Sequence, residues 1–158
     1  MSKYKIEIKW AIIFLLMGLV WMVLEKAFGF HDVHIDKHPI YTNLVAIPAI
    51  AIFVFALLDK RKNYYNGSMT YLQSLVSGII ISVIIAVFSP LTQYLISTFI
   101  TPDYFANAIK YSVEKGGSTQ EKAEAFFNLK NYMMQAAFGG LIMGLITSAI
   151  VSIFVKKK

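Results

Sequence analysis

Four apolar stretches, each long enough to cross a bilayer as a helix, dominate the sequence: about Trp10–Phe28, Tyr41–Leu58, Tyr71–Leu95 and Met133–Val155. A hydrocarbon core about 30 Å thick takes roughly 20 helical residues. The expected fold is therefore all-α, a four-helix integral membrane bundle forming one domain over residues 1–158. Composition agrees. Of the 158 residues, 57% are apolar and 15% charged, whereas soluble domains run nearer 45–50% and about 25%. The lipid bilayer is the partner this excess implies.

Charge placement gives an orientation. Lys3, Lys5 and Lys9 precede the first span, Lys60, Arg61 and Lys62 follow the second, and Lys156, Lys157 and Lys158 follow the fourth. The first loop sets Lys37 against Asp32 and Asp36, and the third mixes its lysines with Asp103, Glu114, Glu121 and Glu124. Short lysine-rich segments stay cytoplasmic, so both termini are expected there. The net charge of +6 reads as this topology signal, not as a nucleic-acid surface. The first run is too long for a signal-peptide core and lacks a cleavage pattern, so it is expected to remain as a helix. Trp10, Tyr41, Tyr64, Tyr65, Tyr71, Tyr94 and Tyr132 lie near span ends, where amphipathic rings favour the headgroup level.

The third loop carries helical signals of its own. Pro102 and Asp103 suit a helix start, Tyr104, Phe105, Ala108, Ile109 and Val113 form an apolar stripe, and Gly116-Gly117 stops it. Ser118 and Glu121 have capping-box spacing. A helix beginning there and running unbroken to Val155 would be about 55 Å long at 1.5 Å per residue. Residues 102–132 are thus expected to form an extracytoplasmic helical hairpin that extends the fourth span, the alternative being an amphipathic segment lying on the headgroups.

Small residues recur every four positions in two spans: Ser74, Gly78, Ser82 and Ala86 in the third; Ala136, Gly140, Gly144, Ser148 and Ser152 in the fourth. Such ladders let helices approach closely in lipid, either within the chain or across a homo-oligomer seam. Pro90 interrupts the third span. Thr92 and Gln93 follow it and, with Gln135, are candidates for lining a polar ligand pocket.

His31, His34 and His38 all fall in the first loop, with Asp32 and Asp36 between them. Imidazole and carboxylate suit zinc, and these histidines are the candidate metal ligands; a solvated polar loop is the plainer reading. Cysteine is absent, which excludes thiolate chemistry. No nucleophile elbow, phosphate-binding loop or metalloprotease motif occurs, so no catalytic residue and no cofactor is assigned.

Several stretches carry a resemblance. Leu24-Glu25-Lys26 through His31-Asp32 to Lys37-His38 is one, and Ala56-Leu57-Leu58-Asp59-Lys60-Arg61-Lys62 another. Ser89-Pro90-Leu91-Thr92-Gln93-Tyr94 and Thr101-Pro102-Asp103-Tyr104-Phe105 complete the set. Together they resemble the uncharacterised family DUF4199 over nearly the whole chain. The resemblance implies a small inner-membrane protein of bacteria, mainly Bacteroidetes, and brings no catalytic residues. The expected function is a non-enzymatic accessory or scaffold component, self-associating or bound to another membrane protein. The alternatives are a small oligomeric carrier or binding protein for a lipid or other amphipathic ligand, and an interfacial enzyme or metal-binding protein using the His/Asp loop.

Overall fold

The computed structural model describes residues 3–157. Lys158, counted above among the carboxy-terminal lysines, lies outside them. The described residues are helical with no strand: α1 Lys5–Ala27, α2 His38–Tyr41, α3 Ala46–Asn63, α4 Tyr71–Leu95, α5 Tyr104–Glu114, α6 Gln120–Phe126 and α7 Leu129–Val155. A tight turn over Thr42–Val45 joins α2 to α3, and a π-helical turn over Ile96–Ile100 extends α4. Four helical segments are long and apolar enough to cross a membrane: Lys5–Ala27, His38–Asn63, Tyr71–Ile100 and Leu129–Val155. Their outward faces remain apolar, with Leu16, Val20, Ile47, Val87, Phe138 and Phe154 all exposed. A surface of this kind is solvated by acyl chains, not water.

Helices α4 and α7 pack antiparallel along the two ladders. A Cβ added to Gly78 would lie 2.5 Å from Ser148 Cβ, and one added to Gly144 would lie 2.8 Å from Ser82 Cβ. Each glycine thus makes room for a serine on the opposite helix. Ser82 Oγ donates to the Gly78 carbonyl at 2.8 Å and Ser148 Oγ to the Gly144 carbonyl at 2.6 Å. Donating back into their own helices satisfies these hydroxyls without water. Ser74 and Ser152 are also fully buried. Gly140 meets only Ser89 Oγ, at 3.8 Å. Across the bundle, Ala11, Phe53, Ala56, Ile81 and Ile85 form a core joining α1, α3 and α4.

Pro90 does not end α4. Ser89 Oγ donates to the Ile85 carbonyl and Thr92 Oγ1 to that of Phe88. At the other end, Thr70 and Gln73 form a reciprocal capping box that fixes where α4 begins.

The unbroken fourth helix expected from Ser118 onward is not found. The chain breaks between α6 and α7, where Asn128 caps both helices. Its Nδ2 donates to the carbonyls of Glu124 and Ala125 at the end of α6, while its Oδ1 accepts from Asn131 N at the start of α7. One side chain caps both helix ends. The α6 cap is also one residue later than expected: Thr119, not Ser118, accepts from Lys122 N. Asn128→Ala is expected to destabilise the purified protein by about 1 kcal/mol, read as a lower thermal midpoint in detergent. An unchanged midpoint would mean the break is set by other residues.

The three positive clusters gather at one end of the bundle, but Lys60 is not a free surface charge there. It is buried, pairs with Glu7 at 2.8 Å, donates to the Lys3 carbonyl at 2.6 Å and lies 3.8 Å above the Tyr64 ring. Ser77 Oγ also donates to Glu7, at 2.6 Å. Beside this pair, Asp59 takes Lys9, Trp10 Nε1 at 2.7 Å and Asn63 at 2.6 Å. Arg61 closes the end on the Val155 carbonyl, and Met69 pairs with Lys157 through both backbone bonds. Glu7 and Lys60 thus neutralise each other, buried at this end of the bundle.

Candidate functional site

At the opposite end, α1 closes in a reversal that Gly29 makes possible. Its φ of +74° is the left-handed conformation that only glycine adopts freely. Phe28 N bonds to the Leu24 carbonyl, Gly29 N to that of Lys26, and Phe30 N to that of Glu25. The chain folds back over the last turn of α1 and delivers His31 onto Glu25. Successive turns then lead to His38, the first residue of α2, with Pro39 beside it where a missing N–H costs nothing.

Glu25 is the centre of the site. It is 3% exposed and His31 4%. Glu25 Oε1 accepts from Trp21 Nε1 at 2.6 Å, one helical turn back. Glu25 Oε2 lies 3.0 Å from His31 Nε2 and 3.3 Å from His38 Nε2. The second contact is off the hydrogen-bonding direction, so His38 Nε2 has no partner, and neither does the buried His31 Nδ1. Tyr104 of α5 packs against both imidazoles, with centroids 5.2 Å from each. Its hydroxyl turns away to that of Tyr132 at 3.3 Å. Burial first, then Tyr132 and the Glu25 carboxylate, pushes the Tyr104 hydroxyl above its ordinary value, so it stays a neutral wall. Asn107 Nδ2 holds the His31 carbonyl at 3.0 Å, and Lys26 Nζ holds the Ile100 carbonyl at 2.5 Å. These bonds lock α5 to the loop and the turn after α4 to the end of α1.

On the other side of Glu25 lies a groove of about 390 Å³, lined by Trp21, Leu24, Glu25, Phe28, Phe30, Tyr41 and Leu44. Phe30 and Tyr41 stack at 4.5 Å, and Phe28 tilts against Phe30 at 6.1 Å. Aromatic faces beside a buried carboxylate are a chemistry that attracts a cation carried on an apolar body.

Of the residues singled out in the sequence, His31 and His38 come together, while His34 is exposed and stands outside the cluster. Glu25 takes the third place. Thr92 is occupied by the Phe88 carbonyl, Gln93 donates to Ser97 at 2.9 Å, and Gln135 is exposed. Trp21, Tyr104 and Asn107 were not singled out as site residues. Only Trp21 had a usable signal, its four-residue spacing from Glu25 on one helix face.

No curated protein and no solved structure matches the chain. The model of the family described as "Protein of unknown function (DUF4199)" matches residues 9–157, so the chain belongs to that family.

Proposed function

We propose that this protein is a non-enzymatic accessory component of the bacterial inner membrane that holds an amphipathic molecule with a protonated amine head. The observation that carries this reading is the aromatic groove over the Glu25 carboxylate at the end of the first span. An ammonium group gains from the ring faces of Phe30 and Tyr41 and from the carboxylate, while an anionic head is repelled by it. The apolar tail would follow Leu24 and Leu44 into the bilayer.

The lysine and arginine clusters support cytoplasmic termini, which sets the groove and helices α5 and α6 on the outer side. Lys60, Arg61, Lys62 and the two tails carry that signal. The facing glycines and serines of α4 and α7 are filled within the chain. A second copy or another membrane protein would therefore use a lipid-facing surface, such as the apolar groove of about 710 Å³ between α1 and α4 lined by Ile8, Ile12, Ile84 and Phe88.

Native mass spectrometry tests the ligand. The protein should retain phosphatidylethanolamine over phosphatidylglycerol, and the double variant Phe30→Ala, Tyr41→Ala should lose that preference. Equal retention of both lipids, or an unaltered preference in the variant, rejects the reading.

A further inference from the structure

Glu25, His31 and His38 present three ligand atoms within 4.8 Å of one another. They come from the end of α1, the reversal after it and the start of α2, so the backbone converges them. The Nε2 atoms of both histidines lie close to the same oxygen, at 3.0 and 3.3 Å. Two ligands each about 2.05 Å from a tetrahedral zinc ion lie about 3.3 Å apart. The two separations to the Glu25 oxygen thus lie close to that edge length, and the third pair of ligand atoms is within 4.8 Å.

Hydrogen bonding alone leaves this cluster incomplete. One carboxylate oxygen faces two imidazole nitrogens, and only His31 meets it in hydrogen-bonding geometry. His38 Nε2 is left buried without a partner. A cation at the shared focus would satisfy that nitrogen, His31 Nε2 and Glu25 Oε2 together. Two imidazoles and one carboxylate are a borderline donor set that suits zinc and its neighbours better than magnesium or calcium. Tyr104 packs on both rings and Trp21 holds the other carboxylate oxygen, so outer contacts already fix the ligands.

We propose that Glu25, His31 and His38 form a binding site for one divalent transition-metal ion of the zinc class, with a fourth position left for water or a small ligand. Neither His31 nor His38 lines the amine-binding groove, so the two sites share Glu25 alone.

The test uses full-length protein in detergent, stripped with a chelator and titrated with zinc and with cobalt. Wild type should bind one equivalent of zinc and give the visible absorption of tetrahedral cobalt. His31→Ala and His38→Ala should each weaken zinc binding by more than about tenfold, the scale on which even outer contacts to a metal matter. His34→Ala should bind as wild type does. His38→Gln keeps a polar side chain that can hydrogen-bond Glu25, and should retain the fold by far-ultraviolet dichroism while losing the cobalt spectrum. Absence of both heat and spectrum in wild type overturns the proposal, as does loss of binding in His34→Ala with His31→Ala unaffected. Phe30→Ala with Tyr41→Ala should bind zinc normally, so failure of the groove and failure of the metal site are separable.

Discussion

Replacing Lys60 by methionine should destabilise the protein by about 3–5 kcal/mol, the usual cost of stranding one member of a buried ion pair. Glu7 is 1% exposed, and among the described residues Ser77 would remain as its one side-chain partner. The cost is that of an uncompensated carboxylate, so it should shrink when the charge goes too. Glu7→Gln with Lys60→Met should recover much of the loss, because an apolar or neutral replacement of the whole pair is often tolerated. Equilibrium unfolding of the four variants in mixed micelles measures this as a double-mutant cycle. A Lys60→Met change within about 0.5 kcal/mol, the range of ordinary surface substitutions, would show that the pair is not a buried unit.

Gly144→Leu should prevent α4 and α7 from docking. Even a methyl group at Gly144 would stand 2.8 Å from Ser82 Cβ, whose position the backbone fixes whatever the rotamer. Overpacking a filled core costs about 1–3 kcal/mol and occasionally more, and leucine adds a branched chain beyond that first atom. Gly144→Ala should fall within that range and Gly144→Leu above it. Gly139, five residues earlier on the same helix, has nothing within 4 Å of an added Cβ. Gly139→Leu should therefore fold normally and serves as the matched control. Resistance to denaturant and elution volume of the three variants decide the question. A folded Gly144→Leu with a smaller elution size would move the ladder to an intermolecular seam.

The fold class was legible because one term dominates it. Apolar runs of about 20 residues must leave water, and lipid admits them as helices. The ladder was legible for a similar reason: Gly78, Ser82, Gly144 and Ser148 have a four-residue period that survives into space. Other features were not. A count of basic residues treats Lys60, Arg61 and Lys62 alike, yet the helix turns Lys60 inward onto Glu7 and Arg61 onto the Val155 carbonyl. The break at Asn128 was missed because asparagine is only a weak helix breaker; its effect here comes from serving two helix ends at once. The histidine cluster was half legible. All three histidines drew notice, but no helical period relates Glu25, His31 and His38. The reversal at Gly29 brings them together and leaves His34 in solvent.

The α4–α7 contact carries a consequence for how this chain tolerates change. At each crossing one helix supplies nothing beyond Cα and the other supplies a hydroxymethyl group: Gly78 with Ser148, Ser82 with Gly144. What is fixed is the combined volume of each couple, not the identity of either member. Exchanging a couple, as in Gly78→Ser with Ser148→Gly, keeps that volume, whereas the first change alone violates it. A library of paired substitutions should therefore show strong positive epistasis between positions 78 and 148 and between 82 and 144, against near-independence for pairs on the lipid-facing sides of the same helices.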